Sequence, residues 1–259
     1  MQIGRHKLSL CKHGWMLHHG PYIGKCFELY GQYSESEVRV IQAFVKAGDT
    51  ALDIGANIGD LTVPMARAAG PEGRVYAVES HAATYQILCA NLALNDIRNV
   101  KPLNCFIADS ADVDMAGPWG KFGFVSEVWS ASVVALDTLG LPSCSFMKID
   151  VDGKELEVLR SAGQLIDRCR PVLYFENDSR DRSAALLDHV MTLNYDLYWH
   201  AAPIFEPDNF FGNPVDHWAT RPVMSLMVLG IPAERRAAYT IQLPPVASKD
   251  QWWIDTPAT

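Results

Sequence analysis

Two acidic residues and a glycine-rich turn form the part of the sequence best suited to chemistry. Asp53 ends an apolar run, the turn GANIG follows at residues 55–59, and Glu79 ends the next apolar run. Glycine tolerates left-handed backbone angles and leaves backbone N–H groups uncovered, so a polar ligand can approach such a turn closely. An acid at the end of a second strand accepts hydrogen bonds from both hydroxyls of a ribose. The spacing therefore predicts a nucleotide-type cofactor at this turn.

The turn departs from the dinucleotide fingerprint in a way that bears on the charge of the ligand. The pattern G-x-G-x-x-G needs glycines at positions 55, 57 and 60, whereas the chain has Asn57 and Asp60. Asp60 would place a negative charge near a pyrophosphate, which is unfavourable. S-adenosylmethionine (SAM) instead carries an ammonium and a sulfonium, and its carboxylate can meet turn N–H groups. We therefore favour SAM, and a nicotinamide-dependent oxidoreductase on the same sheet is the alternative.

Alternating strand and helix patterns position these residues. Such alternation predicts an α/β chain with a mostly parallel sheet, helices on both faces, and ligands at the carboxyl ends of the strands. Residues 110–130 lack a clean period and are predicted to form an excursion or hairpin. The predicted strands are 50–54, 74–79, 100–108, 145–150, 172–177, 195–199 and 223–230, and the predicted helices are 36–46, 58–69, 81–95, 155–169 and 181–193.

Composition excludes several classes of protein. The 30 acidic residues outnumber the 22 basic ones, giving a formal charge of −8, and no basic cluster is present, which disfavours nucleic acid as a partner. No apolar run reaches the roughly 18 residues of a membrane span, and the first 20 residues lack the continuous apolar segment of a signal peptide, so we expect a cytoplasmic protein. The six cysteines form no Cys-x-x-Cys pair, which argues against zinc or a disulfide scaffold.

Several separate segments resemble one known family. They are DIGANIG (53–59), VYAVES (75–80), CANLALNDIRNV (89–100), MKIDVDGKELEVLRSA (147–162) and LYFEN (173–177), with YGQYSESE (30–37), VVALDTL (133–139) and NFFGNP (209–214) in support. Together these segments resemble the FkbM-type branch of class I SAM-dependent methyltransferases over roughly residues 29 to 230. The resemblance implies a Rossmann-like class I methyltransferase fold and methyl transfer to a hydroxyl of a sugar, glycan or natural product.

The resemblance also assigns cofactor-binding residues. It places the glycine turn at the methionine end of SAM, Glu79 at the ribose, and Ser80 and Asp109 at the ribose and adenine edge. Ser80 departs from the family, which more often has proline at this position before the following helix. The cofactor-binding set is Tyr33, Asp53, Gly55, Ala56, Asn57, Gly59, Glu79, Ser80, Asp109 and Asp150.

Three residues are candidates for the chemical step. Methyl transfer from a sulfonium is an in-line displacement, so the protein has to align the acceptor oxygen and remove its proton. Asp150 and Glu176 each end a predicted strand and are candidate proton acceptors, with pairing to Lys148 or an arginine as the structural alternative for Glu176. His200 opens the aromatic loop 200–222, and its imidazole titrates near neutrality. We favour catalysis without a divalent metal, although Asp150 and Glu176-Asn177 resemble an oxygen-ligand set.

Other polar and aromatic residues have structural interpretations. Asp152 is predicted to cap the helix that opens at Gly153. The aromatic residues Trp199, Phe205, Phe210, Phe211 and Trp218 suit either an acceptor wall or a satellite core under the loop. Trp252 and Trp253 suit either packing or a homodimer contact.

The segments define a domain organisation. Residues 1–35 are predicted to form strands and turns packed on the core, residues 36–230 the methyltransferase domain, and residues 231–259 a C-terminal extension. A non-catalytic SAM-binding module stays open as a second alternative to the enzyme.

Overall fold

The computed structural model describes residues 1–3, 5–109, 132–219 and 224–255. The described strands are β1 Gln2–Ile3, β2 His6–Cys11, β3 Gly14–His18, β4 Thr50–Ile54, β5 Arg74–Val78, β6 Val100–Leu103, β7 Cys105–Ile107, β8 Ser132–Val134, β9 Phe146–Ile149, β10 Val172–Glu176, β11 Tyr195–Pro203 and β12 Met224–Pro232. The described α-helices are α1 Ile23–Leu29, α2 Glu35–Phe44, α3 Thr62–Ala69, α4 Ala82–Leu94, α5 Glu155–Ser161, α6 Gly163–Cys169 and α7 Arg180–Thr192. Among the described residues, no helix has both the length and the apolar character needed to cross a bilayer.

The first compact unit consists of Met1–Leu103 with Ala202–Ser225. In it, β4 pairs in parallel with β5, and β5 pairs in parallel with β6, while β1, β2 and β3 form a separate antiparallel sheet. Strand β4 is apolar and almost wholly buried, as a parallel strand covered on both faces must be. Helix α3 packs against β4 and β5, and α4 packs against β6 and β3. This unit carries the glycine turn.

The second compact unit consists of Asn104–Ala201 with Leu226–Thr259. Strands β9 and β10 pair in parallel, and β12 pairs antiparallel with β10. Strands β7 and β8 form a short parallel pair, and α5 packs against β7 and α7. Buried apolar side chains cover both faces of β9 and β10. This unit carries Asp150, Glu176 and His200. Parallel pairing beside helices in both units confirms the predicted α/β, Rossmann-like fold class.

Several predicted elements are wrong in their extent. The helix predicted from residue 58 begins at Thr62, because Gly55, Asn57 and Gly59 adopt left-handed angles that no α-helix contains. Pro64 accordingly lies in the first turn of α3, where a proline is tolerated. The strand predicted over 100–108 is two strands in different sheets, β6 and β7.

The helix predicted over 155–169 is also two helices, α5 and α6, which meet at Ala162. The break has a capping cause, because the Asp137 carboxylate accepts the N–H groups of Gln164 and Leu165 at 2.9 and 2.8 Å. A helix start is thereby stabilised inside an otherwise continuous helical pattern. The excursion predicted over 110–130 lies outside the described residues, and the domain boundaries at 35 and 230 stay a prediction.

Candidate functional site

The glycine turn has the conformation that its residue types predict. Gly55 and Gly59 have φ of 80° and 90°, and Asn57 between them has φ of 47°. A β-carbon on Gly59 would lie 2.9 Å from Leu88 Cδ1, so this position also lacks room for a side chain. Both glycines are therefore needed for the path of the chain at the end of β4.

The backbone N–H groups of this turn are not uncovered, and that part of the prediction is wrong. Gly55 and Ala56 both donate to the carbonyl of Val78 at 2.9 Å, and Gly59 donates to the carbonyl of Ala56 at 2.9 Å. The N–H of Ile58 reaches the Asn57 side-chain oxygen at 2.9 Å. The turn therefore offers a ligand close approach to its backbone, while its own donors already have acceptors.

Glu79 holds the turn and the next helix at the same time. One carboxylate oxygen, Oε2, accepts the N–H of Asn57 at 2.9 Å, and the other, Oε1, accepts the N–H of His81 at 2.7 Å. The His81 side chain caps α4 by accepting the N–H of Thr84 at 3.4 Å, which settles the start of this helix after the unusual Ser80. Each carboxylate oxygen has a second lone pair, so Glu79 retains capacity to accept ribose hydroxyls.

The other predicted cofactor residues of the first unit lie around this turn or pack near it. Asp53 is fully buried, and its Oδ2 accepts the hydroxyl proton of Thr62 at 2.6 Å. Thr62 was missed in the sequence, although its position at the start of α3 is where a hydroxyl can serve a preceding acid. Ala56 is buried and Ser80 is partly exposed. Tyr33 is partly buried and packs against two apolar clusters of the same unit.

The strand ends of the second unit bring two predicted catalytic acids to one edge. Phe175 of β10 pairs with Ile149 of β9, so the next residues, Glu176 and Asp150, lie at the same end of two parallel strands. Burial raises the pKa of Glu176 well above its usual range, and the negative charge of Asp150 raises it further. A carboxyl with a raised pKa is a stronger base once it has lost its proton.

The buried amine in this region lies beside Asp150. Lys148 Nζ is 3.5 Å from Asp150 Oδ2, and the Lys148 side chain is 4% exposed. This ion pair holds the Asp150 carboxylate beside the buried amine at the end of β9. Lys148, which we considered as a partner for Glu176, forms an ion pair with Asp150.

The loop after β9 is held by a glutamate rather than by Asp152. Helix α5 begins at Glu155 instead of Gly153, so the predicted capping role of Asp152 is wrong. Glu155 Oε1 accepts the N–H groups of Val151 and Gly153 at 3.1 and 3.0 Å, which fixes Asp152 and Gly153 in left-handed conformations. Burial raises the pKa of Glu155 to about 7. Sequence reasoning missed Glu155 because its position resembled an ordinary first-turn acid.

His200 lies inside a strand, whereas Asp109 lies just after one. His200 lies within β11 rather than in a loop, because the strand continues to Pro203. It is 8% exposed, and its Nδ1 is 2.7 Å from the hydroxyl of Tyr174, which commits one ring nitrogen to that contact. Asp109 follows β7 and is exposed.

The aromatic loop divides into a packed part and an exposed part. Phe205 and Trp218 pack on a buried cluster that includes Tyr30, which confirms the satellite-core interpretation for these two rings. Phe210 and Phe211 are each 48% exposed. In the second unit, the rings of Trp199 and Trp252 make an edge contact with centroids 5.9 Å apart. Packing within the chain therefore accounts for Trp252.

Comparisons with known proteins find several similar chains. A curated relative, the tRNA(Phe) (4-demethylwyosine(37)-C(7)) aminocarboxypropyltransferase of Methanocaldococcus jannaschii, is 36% identical over 80 residues, which is 30% of this chain and 30% of that protein. A methyltransferase FkbM structure from Methylobacillus flagellatus KT is 18% identical with a TM-score of 0.48, covering 72% of this chain and 44% of that one. A SAM-dependent O-methyltransferase structure from Thermotoga maritima is 14% identical with a TM-score of 0.49, covering 87% and 77%.

The family model described as the methyltransferase FkbM domain matches residues 53–197. That range begins at Asp53 and includes the glycine turn, Glu79, Asp150 and Glu176. It spans more than half of the chain and confirms the resemblance found in the sequence. The chain therefore belongs to the FkbM methyltransferase domain family, within the SAM-dependent methyltransferases.

Proposed function

We propose that the protein is a SAM-dependent O-methyltransferase that acts on a hydroxyl of a sugar, glycan or natural product. The observation that carries the oxygen acceptor is the pair of acids Asp150 and Glu176 at the same end of β9 and β10, with the pKa of Glu176 raised. A hydroxyl of ordinary acidity needs a proton acceptor during methyl transfer, and a carboxylate with a raised pKa suits that task near neutral pH.

The first unit fits SAM by shape and by charge. The left-handed glycines leave the backbone open to close approach, and Glu79 keeps acceptor capacity for two ribose hydroxyls. Asp53 adds a buried carboxylate beneath the turn, which suits a ligand carrying an ammonium and a sulfonium. SAM supplies the methyl group when bound, and the turn and Glu79 orient it.

The proposed proton path uses residues of the second unit. The acceptor hydroxyl loses its proton to Glu176 or Asp150 as its oxygen forms a bond to the methyl carbon. The carbon–sulfur bond breaks, and its electron pair stays on sulfur in S-adenosylhomocysteine. Lys148 Nζ lies 3.5 Å from Asp150 Oδ2, so the amine can hold the Asp150 carboxylate in place while it anchors the hydroxyl or accepts its proton.

Catalysis is proposed to need no divalent metal, because two carboxylates already supply a proton acceptor. Turnover should therefore survive EDTA, and added Mg²⁺ or Mn²⁺ should not raise it. Loss of activity in EDTA with recovery in either metal would turn the same carboxylates into metal ligands.

A second candidate follows from the curated relative, which transfers an aminocarboxypropyl group. That reaction breaks a different carbon–sulfur bond of SAM and leaves methylthioadenosine instead of S-adenosylhomocysteine. The formal charge of −8 disfavours a tRNA acceptor, since nucleic-acid binding depends on neutralising phosphates.

One experiment separates these candidates. Purified protein is titrated with SAM and with NAD by calorimetry, then incubated with SAM and a cell extract, and the nucleoside products are identified by mass spectrometry. The proposal expects SAM binding without NAD binding, and S-adenosylhomocysteine that accumulates with time. Methylthioadenosine selects the second candidate, and SAM binding without any product selects a non-catalytic module.

A further inference from the structure

Asn91 of helix α4 joins the N-terminal hairpin, which consists of β2 and β3, to the glycine turn. Its side chain is fully buried, its Oδ1 accepts the N–H of Leu17 at 2.6 Å, and its Nδ2 donates to the carbonyl of Leu17 at 2.9 Å. The same Nδ2 donates to the carbonyl of Ile58 at 2.8 Å, inside the turn. One amide therefore fixes strand β3 and the segment that follows β4.

Asn95 makes the same paired contact with the hairpin but lacks the contact with the turn. Its Oδ1 accepts the N–H of Trp15 at 2.9 Å, and its Nδ2 donates to the carbonyl of Trp15 at 2.7 Å. The second bond of its Nδ2 goes to the carbonyl of Asn91 at 2.8 Å, within α4. Residues four apart on a helix thus meet residues two apart on a strand, and the two amides cover the edge of β3.

Apolar packing joins the same three elements. Ile58 of the turn belongs to a buried cluster with Met16 of the hairpin and Ile87 of α4. The backbone of Ile58 is held by Asn91 while its side chain packs against the hairpin. A change in the turn at Ile58 must therefore disturb either this packing or the hydrogen bond to Asn91.

We propose that Asn91 is a positioning residue for SAM, which couples the order of the N-terminal hairpin to the conformation of the glycine turn. The proposal rests on SAM binding at that turn, as stated under the proposed function. Coupling between two sites is reciprocal, so SAM should stabilise the hairpin by the same factor by which an ordered hairpin favours SAM.

The test compares Asn91→Ala with the matched Asn95→Ala. Each variant loses two hydrogen bonds to the hairpin and should have a lower thermal stability. Only Asn91→Ala also removes the hydrogen bond to the Ile58 carbonyl. We expect the Kd for SAM to rise about tenfold in Asn91→Ala, since a buried carbonyl loses its partner, and to change less than about twofold in Asn95→Ala.

Hydrogen exchange supplies a readout that a purely structural role would not change. In the wild-type protein and in Asn95→Ala, SAM should slow exchange of the Leu17 amide. In Asn91→Ala the Leu17 amide has lost its own acceptor, so the readout there is the neighbouring Met16 amide of β3, whose slowing by SAM should also be lost. If Asn91→Ala does not fold, Asn91→Asp keeps the acceptor for Leu17 and removes the donor to Ile58, and the wild-type exchange result still decides.

The failures of the two proposals are distinguishable. Wild-type protein that binds SAM with no change in Leu17 exchange overturns the coupling alone. A folded Asn91 variant with wild-type affinity, or equal losses in both alanine variants, overturns it as well. Wild-type protein that binds no SAM overturns the proposed function and this inference together.

Discussion

The glycine turn of the first unit and the strand ends of the second unit both contain buried carboxylates, but the groups that surround these carboxylates differ. Asp53 and Glu79 receive a hydroxyl and two backbone N–H groups. Glu176 lies among other acids, and burial and the negative charge of Asp150 raise its pKa. Hydrogen-bond donors fix the orientation of a carboxylate, whereas burial beside like charges favours its protonated form. The difference indicates a binding role for Asp53 and Glu79 and a proton-transfer role for Glu176.

SAM binding by two glycine variants distinguishes the effect of the turn's shape from that of backbone strain alone, and one of these variants should show the greatest loss. Gly55→Val should abolish detectable SAM binding, because a branched side chain at φ of 80° is strained and stands where the ligand approaches. Gly48→Val is the control, since Gly48 has φ of 88° and a β-carbon added there would meet nothing within 4 Å. Calorimetry with SAM measures both variants. Normal binding by Gly55→Val would show that the ligand does not pass over the turn.

Neutralising the proton-transfer acids should reduce turnover far more than cofactor affinity. Glu176→Gln and Asp150→Asn are each expected to lower kcat by roughly 100-fold or more, because the acceptor hydroxyl loses its base or its anchor. The exposed Asp188→Asn is the control and should have a small effect, since Asp188 is not among the charges that raise the pKa of Glu176. The rate of label transfer from SAM is measured beside the Kd for SAM. Wild-type kcat in both strand-end variants would remove these acids from the chemical step.

Substitution of Glu79 tests the cofactor-binding role of the first unit, and we expect a smaller effect than for the preceding variants. Glu79→Ala should weaken SAM binding by about 1.5 to 3 kcal/mol, because charge-assisted hydrogen bonds to the ribose are lost. The same change frees the N–H groups of Asn57 and His81, so a loss of turn order adds to it. Titration calorimetry gives the value, and circular dichroism establishes folding. A folded variant with unchanged affinity would place Glu79 outside the cofactor site.

Glu155 predicts a pH-dependent effect on stability. Its pKa is about 7 in the folded protein against an ordinary value of 4.5, so the folded state binds the proton more tightly. Stability from this group is complete below about pH 4.5 and is lost as the pH rises through about 7. Glutamine can still accept both N–H groups, so Glu155→Gln should gain on the order of 1 kcal/mol over wild type at pH 8 relative to pH 5. Urea unfolding at both pH values measures it, and an equal difference at each would contradict the raised pKa.

The sequence predicted the first unit better than the second, for physical reasons. Strand β4, its glycine turn and the acid after β5 are local patterns, and each follows from residue type and spacing. The satisfied N–H groups of the turn were missed because their acceptors, Val78 and Glu79, come from a neighbouring strand. Long-range contacts of this kind leave no periodic signal in the sequence.

The second unit shows the same limit more strongly. Asp150 and Glu176 were identified because each ends an apolar run. The break between α5 and α6 depends on Asp137, which lies 27 residues before Gln164 in the chain. The left-handed loop at Asp152 depends on Glu155, whose type alone suggested a helix start. In the first unit, Asn91 likewise stood inside a recognised segment, but its side-chain hydrogen bonds to Leu17 and Ile58 form only in the folded chain.

Isotope-edited NMR shows whether the protein transfers the methyl group of SAM to an oxygen atom. SAM carrying ¹³C at its methyl group is incubated with the protein and a cell extract, and the chemical shift of the labelled product identifies the atom that carries the methyl group. For an O-methyltransferase we expect a methyl signal on oxygen that is absent with Gly55→Val and strongly reduced with Glu176→Gln. A signal on nitrogen or carbon, or label that stays in methylthioadenosine, would contradict this expectation.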